Sequence, residues 1–168
     1  MAKKSKPAPG AVEARPEATF TPFAKEYGKA TKAALDAFEV KIGMALPDEY
    51  RKFVLKHNGG SFDDAIMKVV QRDEEVTLDV LCGVGIIPQL DLTACHDRLA
   101  PDLPEQSFVI GHDPGGNPFL MDLSRADEPG AVYYWDIHHM LNKRTRKAVA
   151  YQLTKSFGAF LAGLPVKR

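Results

Sequence analysis

LPDEYRKFVLKHNGG, from Leu46 to Gly60, carries a helix start, an amphipathic face and a helix stop within fifteen residues. Pro47 suits a first helical turn, where the missing N–H costs nothing and the fixed φ already fits. Asp48 and Glu49 follow at the positive end of the helix dipole, while Lys52, Lys56 and His57 gather toward the negative end. Tyr50, Phe53 and Val54 recur at helical spacing and define one apolar face. Asn58-Gly59-Gly60 stops the helix, since Gly, and less readily Asn, takes the left-handed backbone of a C-terminal cap. The segment reads as a short amphipathic helix packed on a larger body.

Working outward, Lys29 to Ile42 predicts a preceding helix with Ala34, Leu35, Phe38 and Ile42 on one face, ended by Gly43. Phe20 to Tyr27 adds a short ordered turn or helix before it. Downstream, Gly59-Gly60 opens a loop, and Ala65 to Val70 and Val76 to Gly83 read as strands. In the second of these, Val76, Leu78, Val80 and Cys82 alternate with Thr77, Asp79 and Leu81. The acidic link Arg72-Asp73-Glu74-Glu75 suits a hairpin turn. Pro88 to Leu99 predicts a short helix, Phe108–Ile110, Pro118–Leu123 and Val132–Asp136 predict strands, and Tyr151 to Leu164 predicts a closing helix. Helices at both ends around a run of strands imply a single α+β domain, one mostly antiparallel sheet with helices packed on it.

The 168 residues, 45% of them hydrophobic, suffice for one domain with a proper core. No apolar run reaches the length of a membrane helix. The opening MAKKSKPAPGAVEARP is basic and rich in Pro, Gly and Ala, without the apolar stretch of a secretory signal. Residues 1–19 therefore read as a mobile tail and residues 20–168 as the domain. Cys82 and Cys95 make neither a disulfide framework nor a zinc pattern, which suggests free thiols in a reducing cytoplasm.

A net charge of zero hides segregation. From Phe62 to Asp136 there are fifteen acidic and four basic residues; from Ile137 to Arg168 there are seven basic residues and no acids. Blocks of one sign mark a solvated or partner-facing surface, or else distant segments that pair within the fold.

Residues that could carry chemistry are few. Gly111-His112-Asp113-Pro114-Gly115-Gly116-Asn117 could cradle phosphate, but a nucleotide loop leads into a helix N-terminus and carries a Lys. Here Pro118 to Met121 continues as strand, so a turn between strands is expected. His138-His139 beside Asp136, with His112-Asp113 elsewhere, lack metal-ligand spacing, because adjacent residues on a strand point to opposite faces. Cys95 and His96 diverge on a helix rather than forming a dyad. No cofactor, metal or catalytic residue is expected. In Tyr133-Tyr134-Trp135 the outer two share a face, so two aromatics in the core and one at the surface, or an interface anchor, are the readings. The basic run Asn142 to Lys147 lacks interleaved aromatics; a solvated loop is expected there, and direct nucleic-acid binding is not.

Four segments, in order, resemble one family. Leu46-Pro47 with its acidic pair, aromatic helix and Asn58-Gly59-Gly60 stop looks like the opening signature of the SUKH superfamily. Ser107 to Ser124, with Gly115-Gly116 and a strand ending Met121-Asp122-Leu123-Ser124, is similar to its strand, turn and strand. Gly130 to His139, with Tyr133-Tyr134-Trp135-Asp136, resembles the next strand, and Ser156 to Leu164, with Phe157 and Phe160, the closing helix. The structural motif residues carried over are Leu46, Pro47, Tyr50, Phe53, Asn58, Gly59, Gly60, Gly115, Gly116, Asp122, Trp135 and Phe157. The superfamily includes yeast Smi/Knr-type regulators of cell-wall synthesis and many bacterial immunity proteins.

What the resemblance implies for a short single-domain member is a non-catalytic cytoplasmic immunity protein. It would bind a toxin domain encoded by an adjacent gene and occlude its active site. The acidic middle suits a basic partner such as a nuclease. Candidate contacts are Asp63, Asp64, Asp73, Glu74 and Glu75, placed in loops, with Asp113, Tyr134 and Asp136 from the matching motifs. A Smi/Knr-type regulatory scaffold, or a small-ligand enzyme using the Gly115-Gly116 turn, are the alternatives.

Overall fold

The computed structural model describes residues 23–137 and 149–164. Their elements run β1 (Lys25–Glu26), α1 (Lys32–Ile42), α2 (Asp48–His57), β2 (Gly60–Val69), β3 (Glu74–Leu81), α3 (Leu92–Leu99), β4 (Ser107–His112), β5 (Pro118–Asp122), β6 (Ala131–Trp135), β7 (Ala150–Thr154) and α4 (Phe157–Gly163). The strands form one sheet in chain order, and every neighbouring pair is antiparallel. This is the expected α+β fold. The residues 1–19 and 20–22, His138-His139 and the basic run from Asn142 to Lys147 lie outside the described residues.

Local chemistry explains the helix ends. Thr31 caps α1 by accepting from the Ala34 amide at 3.2 Å, and Gly43 ends it with φ of 68°. Pro47 occupies the N-cap of α2 rather than its first turn, with ψ of 141°, and Asn58 closes the helix in the left-handed region. The Arg51 guanidinium pairs with Asp36 and Glu39 of α1, and Glu39 also accepts from the Leu46 amide at 2.8 Å. One side chain on α2 thereby fixes its angle to α1.

Helices α1, α2 and α4 cover one face of the sheet. Phe38 and Tyr50 bring their rings to 5.6 and 5.5 Å from Phe108 on β4. Phe157 meets Tyr50 and Phe53 at 4.8 and 5.1 Å, and Phe160 meets Phe119 on β5 at 6.1 Å. Tyr50, Phe38, Phe108, Phe119, Phe157 and Phe160 are all fully buried, each worth about 1.5–3 kcal/mol of transfer free energy.

Four sequence expectations change. In the described part of the segment expected as a turn or helix, residues 23–27, the chain holds strand β1, because the β2 edge offers backbone partners and Phe23 fits between Phe53 and Phe62. Gly59-Gly60 does not open a loop, since β2 starts at Gly60. The helix expected from Pro88 shortens to Leu92–Leu99, because Asp91 caps it by accepting from Thr93 and Ala94. Tyr151 to Leu164 divides into β7 and α4. The helical spacing from Leu153 to Phe157 concealed that break. The open edge of β6 takes residues 150–154 as a strand, and Ser156 then starts a new helix by accepting from Ala159.

The sheet is bent rather than flat. β3 meets β4 only at Val80 and Leu81, and β2 carries a bulge between Ser61 and Ala65. A bulge increases local twist, and the far half of the β2–β3 hairpin curls toward β7, with Met67 beside Gly163 of α4. Its tip reaches the opposite edge, where Gln71 Nε2 donates to the Gln152 carbonyl of β7 at 2.9 Å. This hairpin forms an arm with one face inward and one outward.

Candidate functional site

The Asn58-Gly59-Gly60 stop is a structural staple. Asn58 is buried, and its side-chain amide donates to the Val84 carbonyl at 3.0 Å and accepts from the Val84 amide at 2.8 Å. The helix cap thus also holds the segment that follows β3. Gly59 has φ of 79°, and a Cβ there would strike the Leu81 carbonyl and the Cys82 backbone. At Gly60 a Cβ would lie 2.5 Å from the Phe23 ring and 2.6 Å from the Lys25 carbonyl oxygen. Leu46, Tyr50, Phe53, Trp135 and Phe157 are core side chains. Asp122 accepts from the Ser124 amide at 2.8 Å and shapes the turn after β5.

The Gly115-Gly116 turn joins β4 to β5, and its interior already holds an anion. The Asp113 carboxylate accepts from Asn117 N and Nδ2, both at 2.8 Å, and from the Tyr134 hydroxyl at 2.9 Å. A phosphate there would face that carboxylate, so the turn is braced against anions rather than built for them. Burial, reinforced by Asp113, raises the Tyr134 pKa. His112 Nδ1 lies 3.2 Å from the Asp113 carbonyl oxygen.

Asp136 is buried and accepts from Arg72 Nη1 at 2.7 Å. Arg72 also pairs with Glu74 at 2.9 Å and lies over the Tyr151 ring at 5.4 Å. The arginine at the arm's tip therefore clamps β6 and β7. Tyr134, Asp113 and Asp136 come together with Asn117, whose Oδ1 accepts from the Ile137 amide at 3.1 Å, as an internal polar brace. Tyr134 and Trp135 are both buried while Tyr133 is half-buried, so burial on β6 does not alternate, because both faces of that strand are covered.

The remaining acids lie on the arm. Asp63 and Asp64 sit in strand β2 at its bulge, not in a loop, because the strand begins five residues earlier than its apolar pattern suggests. Asp73 occupies the turn with φ of 53° and pairs with Lys68 at 2.8 Å, while Glu74 and Glu75 open β3. On the outward face Ile66 lies opposite Thr77, and Lys68 opposite Glu75. Asp64, Ile66, Val70 and Glu75 are exposed there, with Ile66 at 47% and Val70 at 76%. Asp64 and Glu75 form no ion pair among the described residues, whereas the charges of Asp73 and Glu74 are partly spent within the arm. Ile66 and Val70 escaped attention in the sequence because they resemble core residues; only their phase against Ala65, Met67 and Val69 reveals the outward face.

No relative among curated proteins matches the chain. Among the described residues, no helix is long and apolar enough to cross a membrane. A family model described as the SMI1 / KNR4 family (SUKH-1) matches residues 29–163, from ahead of α1 to the end of α4. That span contains the helix staple, the braced Gly turn and the aromatic closing helix, and the chain belongs to the SMI1 / KNR4 family (SUKH-1).

Proposed function

We propose that this domain binds another protein through the outward face of the β2–β3 arm and acts as a cytoplasmic immunity protein. Its partner is a basic toxin domain, such as a nuclease, encoded by an adjacent gene, and it works by covering the toxin's active site. The observation that carries the reading is the pairing of unneutralised Asp64 and Glu75 with exposed Ile66 and Val70 on one outward hairpin face. Unpaired acids steer a basic partner, and neighbouring aliphatic groups give a dry contact once it has docked. Membership of the family supports a protein-binding role. Asp113, Tyr134 and Asp136 then act by holding the frame that presents the arm, since their polar atoms are engaged within it.

The test is binding kinetics against the purified product of the neighbouring gene at low and high ionic strength. Asp64→Lys with Glu75→Lys should lower kon by about ten-fold at low salt, with the loss shrinking as salt rises. Ile66→Ser with Val70→Ser should instead raise koff. Unchanged affinity and salt dependence in both double variants would move the contact off the arm.

A further inference from the structure

Cys82 directly follows β3, Cys95 lies in α3, and both are free thiols. The fold brings their sulfur atoms to 3.5 Å across thirteen residues of sequence. That contact is secured from both sides. The Leu92 amide donates to the Gly83 carbonyl at 2.7 Å and the Gly83 amide to the Leu90 carbonyl at 3.1 Å, so the start of α3 is tied to the end of β3. The two sulfurs are not equivalent. Both residues are buried, but the Cys82 thiol is directed at Cys95, whereas Cys95 Sγ also receives Arg98 Nη2 at 3.3 Å. When it carries its own proton, Cys95 can direct it to the Gln89 carbonyl at 3.4 Å. Cys95 and Arg98 also line a cleft of about 280 Å3 with Val109, His112, Pro118 and Ile137.

Donation from Cys82, aided by the Arg98 charge, lowers the Cys95 pKa to about 7, while the same hydrogen bond and burial raise that of Cys82. The cleft gives a small oxidant a way in, and the neighbouring guanidinium favours the thiolate, which is the nucleophilic form of Cys95. A buried thiol in van der Waals contact with it is placed to finish the reaction.

We propose that Cys82 and Cys95 form a peroxide-responsive dithiol, in which Cys95 reacts with a hydroperoxide entering the cleft and Cys82 closes an intramolecular disulfide. With hydrogen peroxide the Cys95 thiolate attacks one oxygen and the O–O bond breaks. Cys95 becomes a sulfenic acid and hydroxide leaves. The Cys82 sulfur then attacks the Cys95 sulfur, its proton passes to the departing oxygen as the S–O bond breaks, and water is lost. The dithiol has given two electrons to the peroxide, and a small dithiol reductant restores it by exchange. The oxidised form locks α3 to the end of β3, and the arm that β3 belongs to is thereby tethered to the cleft wall.

The experiment treats the folded, reduced full-length chain with hydrogen peroxide, quenches in denaturant with an alkylating agent, and counts alkylated thiols by intact mass. Wild type should go from two alkylated thiols to none in one step, remain a single chain on a non-reducing gel, and regain both thiols with dithiothreitol. Cys82→Ser should stop at a sulfenic acid on Cys95 that a dimedone probe captures. Cys95→Ser should keep its Cys82 thiol, and Arg98→Met should slow the wild-type reaction several-fold. Two alkylatable thiols surviving in treated wild type would overturn the proposal. So would sulfinic acid on Cys95 with Cys82 still free, or disulfides formed only between chains. Because wild type alone decides these outcomes, a serine variant that fails to fold leaves the test intact.

Discussion

Replacing Asn58 with alanine tests the staple at the centre of the fold. Its amide makes two hydrogen bonds with the Val84 backbone, at 3.0 and 2.8 Å, and Val84 is itself buried. Water cannot simply take the place of the amide, so the Val84 N–H and C=O lose their partners, at about 1–3 kcal/mol each. Alanine also takes the φ of 50° less readily than asparagine, whose short polar side chain favours the left-handed region, at up to about 1 kcal/mol. Together, Asn58→Ala should cost about 2–5 kcal/mol in urea unfolding, a large part of a typical domain's stability. Asn58→Gly separates the two causes, since glycine adopts the left-handed backbone freely but has no amide. It should still lose about 2 kcal/mol or more, with an unchanged urea dependence. A glycine variant within about 0.5 kcal/mol of the parent would refute the reasoning and reduce Asn58 to a helix cap.

Gly83→Ala, whose Cβ would collide with the Asn58 carbonyl, should cost about 3 kcal/mol. Gly116→Ala, with φ of 87° and open space around it, should cost only about 1–2 kcal/mol by the same unfolding assay, and equal losses would count against the close approach. Arg72→Ala should destabilise the domain more than Asp73→Ala, because it leaves buried Asp136 without its guanidinium, and adding Asp136→Asn should recover part of the loss in a double-mutant cycle. Burial holds the His96 pKa below 6.5, opposed by Asp97 and aided by Lys41, and its buried Nδ1 has no hydrogen-bond partner among the described residues. The folded state therefore binds fewer protons there than the unfolded one, so this contribution is present above the unfolded pKa and is lost as pH falls from there through the lower folded pKa. Stability should decline as pH falls below about 6.5, less steeply in His96→Gln; parallel slopes would refute the assignment.

The helix staple shows how far local chemistry reaches. Proline before an acidic pair, aromatics at helical spacing and a stop at Asn58 depend on backbone preference and periodicity, so α2 is legible in fifteen residues of sequence. The same holds for α1 and for β4 and β5 around their Gly-rich turn. Where two local signals conflict, the chain becomes ambiguous. Residues 150–154 share helical spacing with α4, yet pairing to β6 decides that they are strand. Strand partners are non-local, and no window of sequence contains them.

The candidate surface was legible only as composition. An acidic middle segment is plain in the sequence, but which of its charges remain available depends on Lys68 and Arg72, and on the buried position of Asp136. The exposed Ile66 and Val70 look like core residues until the register of β2 against β3 assigns each a face. Cys82 and Cys95 carry no motif at all, since their meeting depends on α3 folding back onto the end of β3. Backbone preferences and apolar spacing act over a few residues and so are written along the chain. Proximity, burial and the neutralisation of charge arise between segments far apart in sequence, and come into being only when the sheet bends and closes.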